Sequence, residues 1–170
     1  MTKLEKATHV FLIVLCCLAG GLLIEQRFFT AQDDDDSRTA RDVVGRELKL
    51  PGADWQSAPI SVLLQISSTC RFCNESMPFY RQLMAARQSA PAKVPVIVAS
   101  ADGVAVMRRH LEEQQVVVDR VLHSRLDAFA PITPTVYIVD SQGVVKRVFM
   151  GKLDAAGEKE LLAIVERGKV

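Results

Sequence analysis

Hydrophobic positions fall into separated blocks along this chain, and each block has its own periodicity. Residues 7–24 read ATHVFLIVLCCLAGGLLI, with no formal charge and with Thr8 and His9 as the polar side chains, near one end. At about 1.5 Å per residue this segment spans roughly 27 Å, which predicts one N-terminal transmembrane helix. Apolar side chains on every face argue against a core helix of a soluble domain. A cleaved signal peptide is the stronger rival. No small-x-small site follows, and the segment leaves through Glu25, Gln26, Arg27, Phe28 and Phe29, whose two rings read as interfacial anchors. Residues 30–42 (TAQDDDDSRTARD) bury nothing and repel one another, so they are expected to form a flexible acidic linker. The expected organisation is an anchor over 1–29, the linker over 30–42 and one folded domain over 43–170.

Within that domain the period changes. Residues 43–59 carry short apolar pieces broken by glycine and proline, which suggests a short strand or hairpin. Residues 60–66 (ISVLLQI) and 94–99 (VPVIVA) are near-continuous apolar runs, as strands buried on both faces would be. Between them a helix is expected from about Cys70 to Gln88. A second helix is expected over 102–113, with Asp102 as its cap. A short strand at 116–118 and a helical turn over 122–129 follow. Residues 135–139 (TVYIV) and 144–150 read as strands joined by the turn Asp140-Ser141-Gln142-Gly143, hence antiparallel. A helix over 154–167 closes the chain. This order predicts an α/β domain with a mixed sheet flanked by helices.

Composition removes several functions. The 170 residues carry a net charge of +1 and few aromatics, so neither a basic field nor a stacking surface for nucleic acid is present. No glycine-rich phosphate loop appears. The 4 cysteines form two tight pairs, Cys16–Cys17 and Cys70–Cys73, unlike the dispersed pattern of a disulfide-stapled fold. Leu15 stands where a lipobox needs a small residue, so Cys16 and Cys17 read as apolar filler.

Ser67-Ser68-Thr69-Cys70-Arg71-Phe72-Cys73 follows a buried strand and opens a helix. Two cysteines three apart on a helix share a face and are close enough to join as a disulfide. Cys70 at the helix start meets unpaired N–H groups and the helix dipole, with the Arg71 charge beside it; all three stabilise a thiolate. Cys70 is therefore expected to attack and Cys73 to resolve the mixed disulfide. A structural zinc site would need about four ligands. No second Cys pair exists outside the apolar segment, and His110 and His123 have no ligand spacing, so no metal is expected. Glu75 reads as a solvated helix carboxylate.

Together with Pro78, Thr133-Pro134 before a strand and the 140–143 turn, the Cys70-Arg71-Phe72-Cys73 motif resembles the thioredoxin superfamily. With the N-terminal segment, the chain looks most like its membrane-tethered, TlpA-like redoxin branch. The local sequence alone favours a trans Thr133–Pro134 bond. The resemblance implies instead that Pro134 is a cis-proline facing the cysteines, that Thr133 offers backbone hydrogen bonds to a substrate chain, and that Pro78 kinks the active-site helix. Three departures stand out: Thr69 replaces the usual Trp, Arg71-Phe72 is an unusual dipeptide, and Leu64 stands where thioredoxin has a buried acid.

The function this implies is a membrane-tethered thiol–disulfide oxidoreductase that reduces disulfides in extracytoplasmic proteins. Its partners would be protein disulfides, a membrane thiol electron donor and, through the anchor, lipid. Nucleic acid and cofactors are not expected. Lys3 and Lys6 before the segment are nearly balanced by Arg27, Arg38 and Arg41 after it; the short N-terminal tail and the thiol chemistry together put the domain on the periplasmic or exterior side of the cytoplasmic membrane, in single-pass topology. The alternatives are a peroxiredoxin-type peroxidase, whose motif would need proline where Leu63 stands, and a redox-inert assembly module on the same fold.

Overall fold

The computed structural model describes Ile13 and residues 42–126 and 129–170. The expected anchor, the linker up to Arg41, and Cys16 and Cys17 thus lie outside the described residues. Among those described, no helix is long and apolar enough to cross a membrane.

The domain belongs to a compact unit, Thr39–Val170. Its centre is β1 (Ile60–Gln65), in which every residue is buried. β2 (Val96–Ser100) pairs parallel to β1, and β3 (Arg120–His123) pairs parallel to β2. On the other flank β4 (Thr135–Asp140) runs antiparallel to β1, and β5 (Val145–Met150) antiparallel to β4. The sheet order is β3-β2-β1-β4-β5, the mixed sheet expected.

The connection between β1 and β2 carries α1 (Arg71–Glu75) and α2 (Met77–Gln88); that between β2 and β3 carries α3 (Val104–Glu113). Both crossovers step the same way across the sheet. Right-handedness therefore sets both on one face. Met77, Leu83, Met107 and Leu111 pack there with Val62, Leu64 and Ile66, joined by Leu161 and Ile164 of the closing α4 (Ala155–Arg167). The alternate residue Leu63 looks to the other face, where Leu48, Leu50, Leu126 and Ala130 cover Tyr137 and Val139. Gln65 is buried on that side too. It donates to the Ala130 carbonyl at 3.0 Å and accepts from the Tyr137 hydroxyl at 2.7 Å, so a polar side chain in a central strand has its partners.

Four expectations change. Residues 43–59 form no strand: a single bridge joins Glu47 to Val144, and a 3-10 turn spans Trp55–Ser57. The helix expected over 70–88 is broken at Ser76, because Pro78 has no N–H to continue the ladder from α1. The strand expected at 116–118 lies four residues later, at β3, where Val121 is buried against β2 and Val117 is left 71% exposed. The helical turn expected from 122 does not start there, since Leu122 and His123 belong to the ladder; Phe129 N and Ala130 N donate to the Leu126 carbonyl.

The two outer strands are each covered in part or short. At the start of β5, Gly45 donates to the Val145 carbonyl at 2.8 Å, and in the turn before it Leu48 donates to that of Gly143 at 2.7 Å. β3 has four residues, with Arg120 and His123 exposed.

Candidate active site

The site forms where β1 ends and the chain turns into a helix. Cys70 is the N-cap of α1, with φ −76° and ψ 120°. This extended conformation points its side chain back over the first turn, and its sulfur accepts the Cys73 N–H at 3.2 Å. In its thiol form Cys70 also donates to the Thr133 carbonyl at 3.4 Å, 63 residues away in sequence. The Thr133–Pro134 peptide is cis, as the resemblance implied. Its loop is held by Thr135 Oγ1 donating to the Ile132 carbonyl at 2.9 Å and by Gly151 N donating to the Pro134 carbonyl at 2.8 Å.

The two sulfurs differ. Cys70 is half-buried and Cys73 fully buried; both are free thiols. Burial pushes the Cys70 thiol up, but hydrogen bonds from the side chains of Cys73 and Thr133 and from the backbone of Cys73 and Phe72 outweigh it, and the thiol sits below its ordinary value. Burial and the bond it gives to Cys70 push Cys73 up to about 12. One sulfur is thus prepared as a thiolate, and its neighbour stays a thiol that donates to it.

Arg71 does not contribute to this as the sequence suggested. Its Nε pairs with Glu75 at 2.8 Å, an i,i+4 contact on the exposed face of α1, and Glu75 also accepts from Lys152 Nζ at 2.9 Å. Bonds from Lys152 and then Arg71 hold the Glu75 carboxyl below its usual range. The charge next to Cys70 in sequence is therefore spent on a carboxylate, which is itself paired, not merely solvated. Phe72, between the cysteines, is 53% exposed and offers an apolar rim beside Cys70.

Leu64 is in the core as expected, with no acid in its place. A group missed in the sequence is Tyr80 of α2, which shares a buried cluster with Cys73. Burial raises its hydroxyl, and the charge of Cys73 raises it further. Asp102 was missed as well. It is not the cap of α3: Gly103 is, without a side-chain bond. The Asp102 carboxylate turns to the cysteine loop and accepts from Ser68 N at 2.6 Å. Among the described residues no group of three or more His, Cys, Asp or Glu could hold a metal ion.

The opposed ionisation has a measurable consequence. Alkylation requires the thiolate, and a lowered pKa means that the Cys70 rate climbs and levels off at lower pH than for an ordinary thiol. With the reduced chain near pH 7, iodoacetamide should modify Cys70 at least about tenfold faster than Cys73. The Cys73 rate should still be rising in alkaline solution. Equal rates near pH 7, read by peptide mass spectrometry, would contradict this arrangement.

No family model matches the chain, and no curated protein matches it. Solved structures do. A thiol-disulfide isomerase from Corynebacterium glutamicum is 16% identical, with a TM-score of 0.52 over 72% of this chain and 92% of its own. A secreted Mycobacterium tuberculosis disulfide oxidoreductase homologous to E. coli DsbE is 19% identical, with a TM-score of 0.52 over 68% of this chain and 86% of its own. The thioredoxin domain of a thiol-disulfide oxidoreductase from Bacteroides vulgatus is 18% identical, with a TM-score of 0.50 over 73% and 90%. At these identities the likeness is one of fold.

Proposed function

We propose that this chain, whose fold is the thioredoxin fold, is a protein thiol–disulfide oxidoreductase tethered to the cytoplasmic membrane, with its domain on the periplasmic or exterior side. The observation that carries the chemistry is the pair itself. A half-exposed sulfur below its ordinary pKa sits at a helix start against the Thr133 carbonyl, with a buried thiol one turn deeper. Structures of similar fold are described as a thiol-disulfide isomerase and as disulfide oxidoreductases, which supports the same class of reaction here.

The reaction runs in two exchanges. The Cys70 thiolate attacks one sulfur of a protein disulfide; a Cys70–substrate disulfide forms, and the other substrate sulfur leaves as a thiolate and takes up a proton. Cys73 then gives up its proton, attacks Cys70 and releases the second substrate thiolate. The protein ends with a Cys70–Cys73 disulfide, and two electrons have passed to the substrate. No cofactor is required, because both electrons come from the sulfurs. Thr133 and Pro134 lie where a substrate backbone would run beside Cys70, and Phe72 contributes the apolar rim.

The direction proposed is reduction, with the pair recharged by a dithiol carrier in the membrane. The uncharged segment over 7–24 supports the tether, and the tether keeps the domain within reach of such a donor. The opposing influence is the lowered Cys70 pKa, since a stabilised reduced form makes a stronger oxidant. Equilibration of the pair with glutathione decides between them. A reductase is expected to lie below about −200 mV and to reduce insulin faster than a double Cys→Ser variant, whereas a value near −120 mV would make the protein an oxidant.

A further inference from the structure

Asp102 lies in the three residues between β2 and α3, yet it serves neither element. Its carboxylate instead crosses to the turn after β1. There Oδ2 accepts from Ser68 N at 2.6 Å and from Ser67 Oγ at 3.3 Å, and Oδ1 is 3.4 Å from Ser67 Oγ. Ser67 Oγ in turn contacts Thr69 Oγ1 at 3.1 Å and accepts from Thr69 N at 3.4 Å. Asp102 is itself held in place. Its N–H donates to Ser100 Oγ at 3.1 Å, and its carbonyl lies 3.0 Å from His123 Nδ1 on β3.

The two peptide groups that flank the Ser68 Cα are thus each held: the Ser68 N–H by Asp102 and the Ser68 carbonyl by Asn74 Nδ2 of α1 at 3.2 Å. The same turn is closed by Cys70 N donating to the Ser67 carbonyl at 3.2 Å. A rotation of this turn would carry Cys70 with it. The sulfur's contacts, 3.2 Å to Cys73 N and 3.4 Å to Thr133 O, depend on the Cys70 backbone angles, and hydrogen bonds weaken steeply with misalignment. A carboxylate accepting from a backbone N–H makes a short, charge-assisted bond, stiffer than a neutral acceptor would give.

We propose that Asp102 is a positioning residue: it fastens the Ser67-Ser68-Thr69 turn to the end of β2 and so holds Cys70 in the orientation in which its sulfur accepts the Cys73 N–H. This rests on the reading of Cys70 as the attacking thiol. The carboxylate touches no reacting atom and acts through the turn. The charged and titratable groups near the cysteine loop include Asp102 itself, with His123 on its carbonyl, Arg125, which lines one cleft with Ser67 and Thr133, and the Arg71–Glu75–Lys152 cluster on the exposed side of α1.

The test uses the full chain in mild detergent, reduced, with Asp102→Ala and Asp102→Asn beside the wild type. Three quantities are read: the rate at which iodoacetamide modifies Cys70, its dependence on pH, and the thermal midpoint. Asp102→Ala is expected to slow Cys70 alkylation at neutral pH about tenfold and to move the midpoint of its pH profile upward, the size of one lost hydrogen bond to a charged group. Asp102→Asn keeps an acceptor oxygen for Ser68 N–H and is expected to stay within about threefold of the wild type. An Asp102→Ala chain that melts earlier but alkylates Cys70 at the wild-type rate and pH would overturn the proposal. So would an Asn variant as slow as the Ala variant. If Asp102→Ala does not fold, Ser67→Ala carries the test: about threefold slowing supports the clamp, and no change refutes it. Alkylation is read by mass spectrometry and needs no disulfide-reducing activity. A wild type inactive on insulin therefore counts against the proposed function, and an unmoved Cys70 counts against the clamp.

Discussion

A chain carrying Cys73→Ser is expected to accumulate in cells as mixed disulfides through Cys70, recovered with the membranes, whereas Cys70→Ser is expected to trap nothing. The asymmetry follows from the two sulfurs. Cys70 is half-exposed and below its ordinary pKa, so it can meet a partner and attack it; Cys73 is fully buried with its thiol pushed up to about 12. Without Cys73 no neighbouring thiol can displace the partner, and the adduct persists until an external thiol removes it. Insulin reduction should drop to the level of the double variant in Cys70→Ser, because a serine hydroxyl does not ionise in this range and forms no disulfide. Non-reducing gels with mass spectrometry identify the adducts. Trapping by Cys70→Ser instead would reverse the roles, and adducts found in the soluble cytoplasm would count against the tether.

Leu64→Ala is expected to cost about 2–5 kcal/mol of stability. Leu64 is fully buried on the central strand, paired with Val98 on one side and Val136 on the other. It belongs to the cluster that contains Cys73, Met77 and Tyr80. The strand cannot shift to close the gap, because its ladder to β2 and β4 is fixed on both flanks, so most of the cavity should remain. For a domain of this size the melting temperature should fall by on the order of 10 °C. Urea unfolding of the reduced Thr39–Val170 unit measures the loss. A cost below about 1 kcal/mol would mean that the helices collapse onto the gap, contrary to the close packing expected of such a core.

What could be read from the sequence was what local chemistry decides. β1 announces itself because burial on both faces makes a continuous apolar run. The β4–β5 turn does so because Asp140 accepts from Gln142 N and Val144 N at 2.9 Å while Gly143 takes φ +81°. The Cys70–Cys73 pair was visible from spacing, and the cis bond at Pro134 only from resemblance. What escaped depended on distant partners. Val116-Val117-Val118 looks more strand-like than Arg120–His123, yet Val96 N reaches Asp119 Oδ2 at 2.8 Å, and the ladder to β2 begins after that contact. Asp102 has the sequence of a helix cap, but the orphan amide it found is Ser68, 34 residues back. Arg71 adjoins Cys70 along the chain, while helix geometry sets it against Glu75.

The margins of the sheet bear on how such a protein meets its clients. A protein that handles polypeptides with mispaired or reducible cysteines works among extended, partly unfolded chains, which readily add to an open strand edge and seed aggregates. Here residues 45–48 cover only the start of β5, where Lys146 and Arg147 follow exposed, and β3 offers only four residues with Arg120 and His123 exposed. Each margin is thus interrupted by charge, and β3 by its brevity as well. On the proposed function, a client would be steered away from the sides and toward the loops at the strand ends, where the Cys70 sulfur lies.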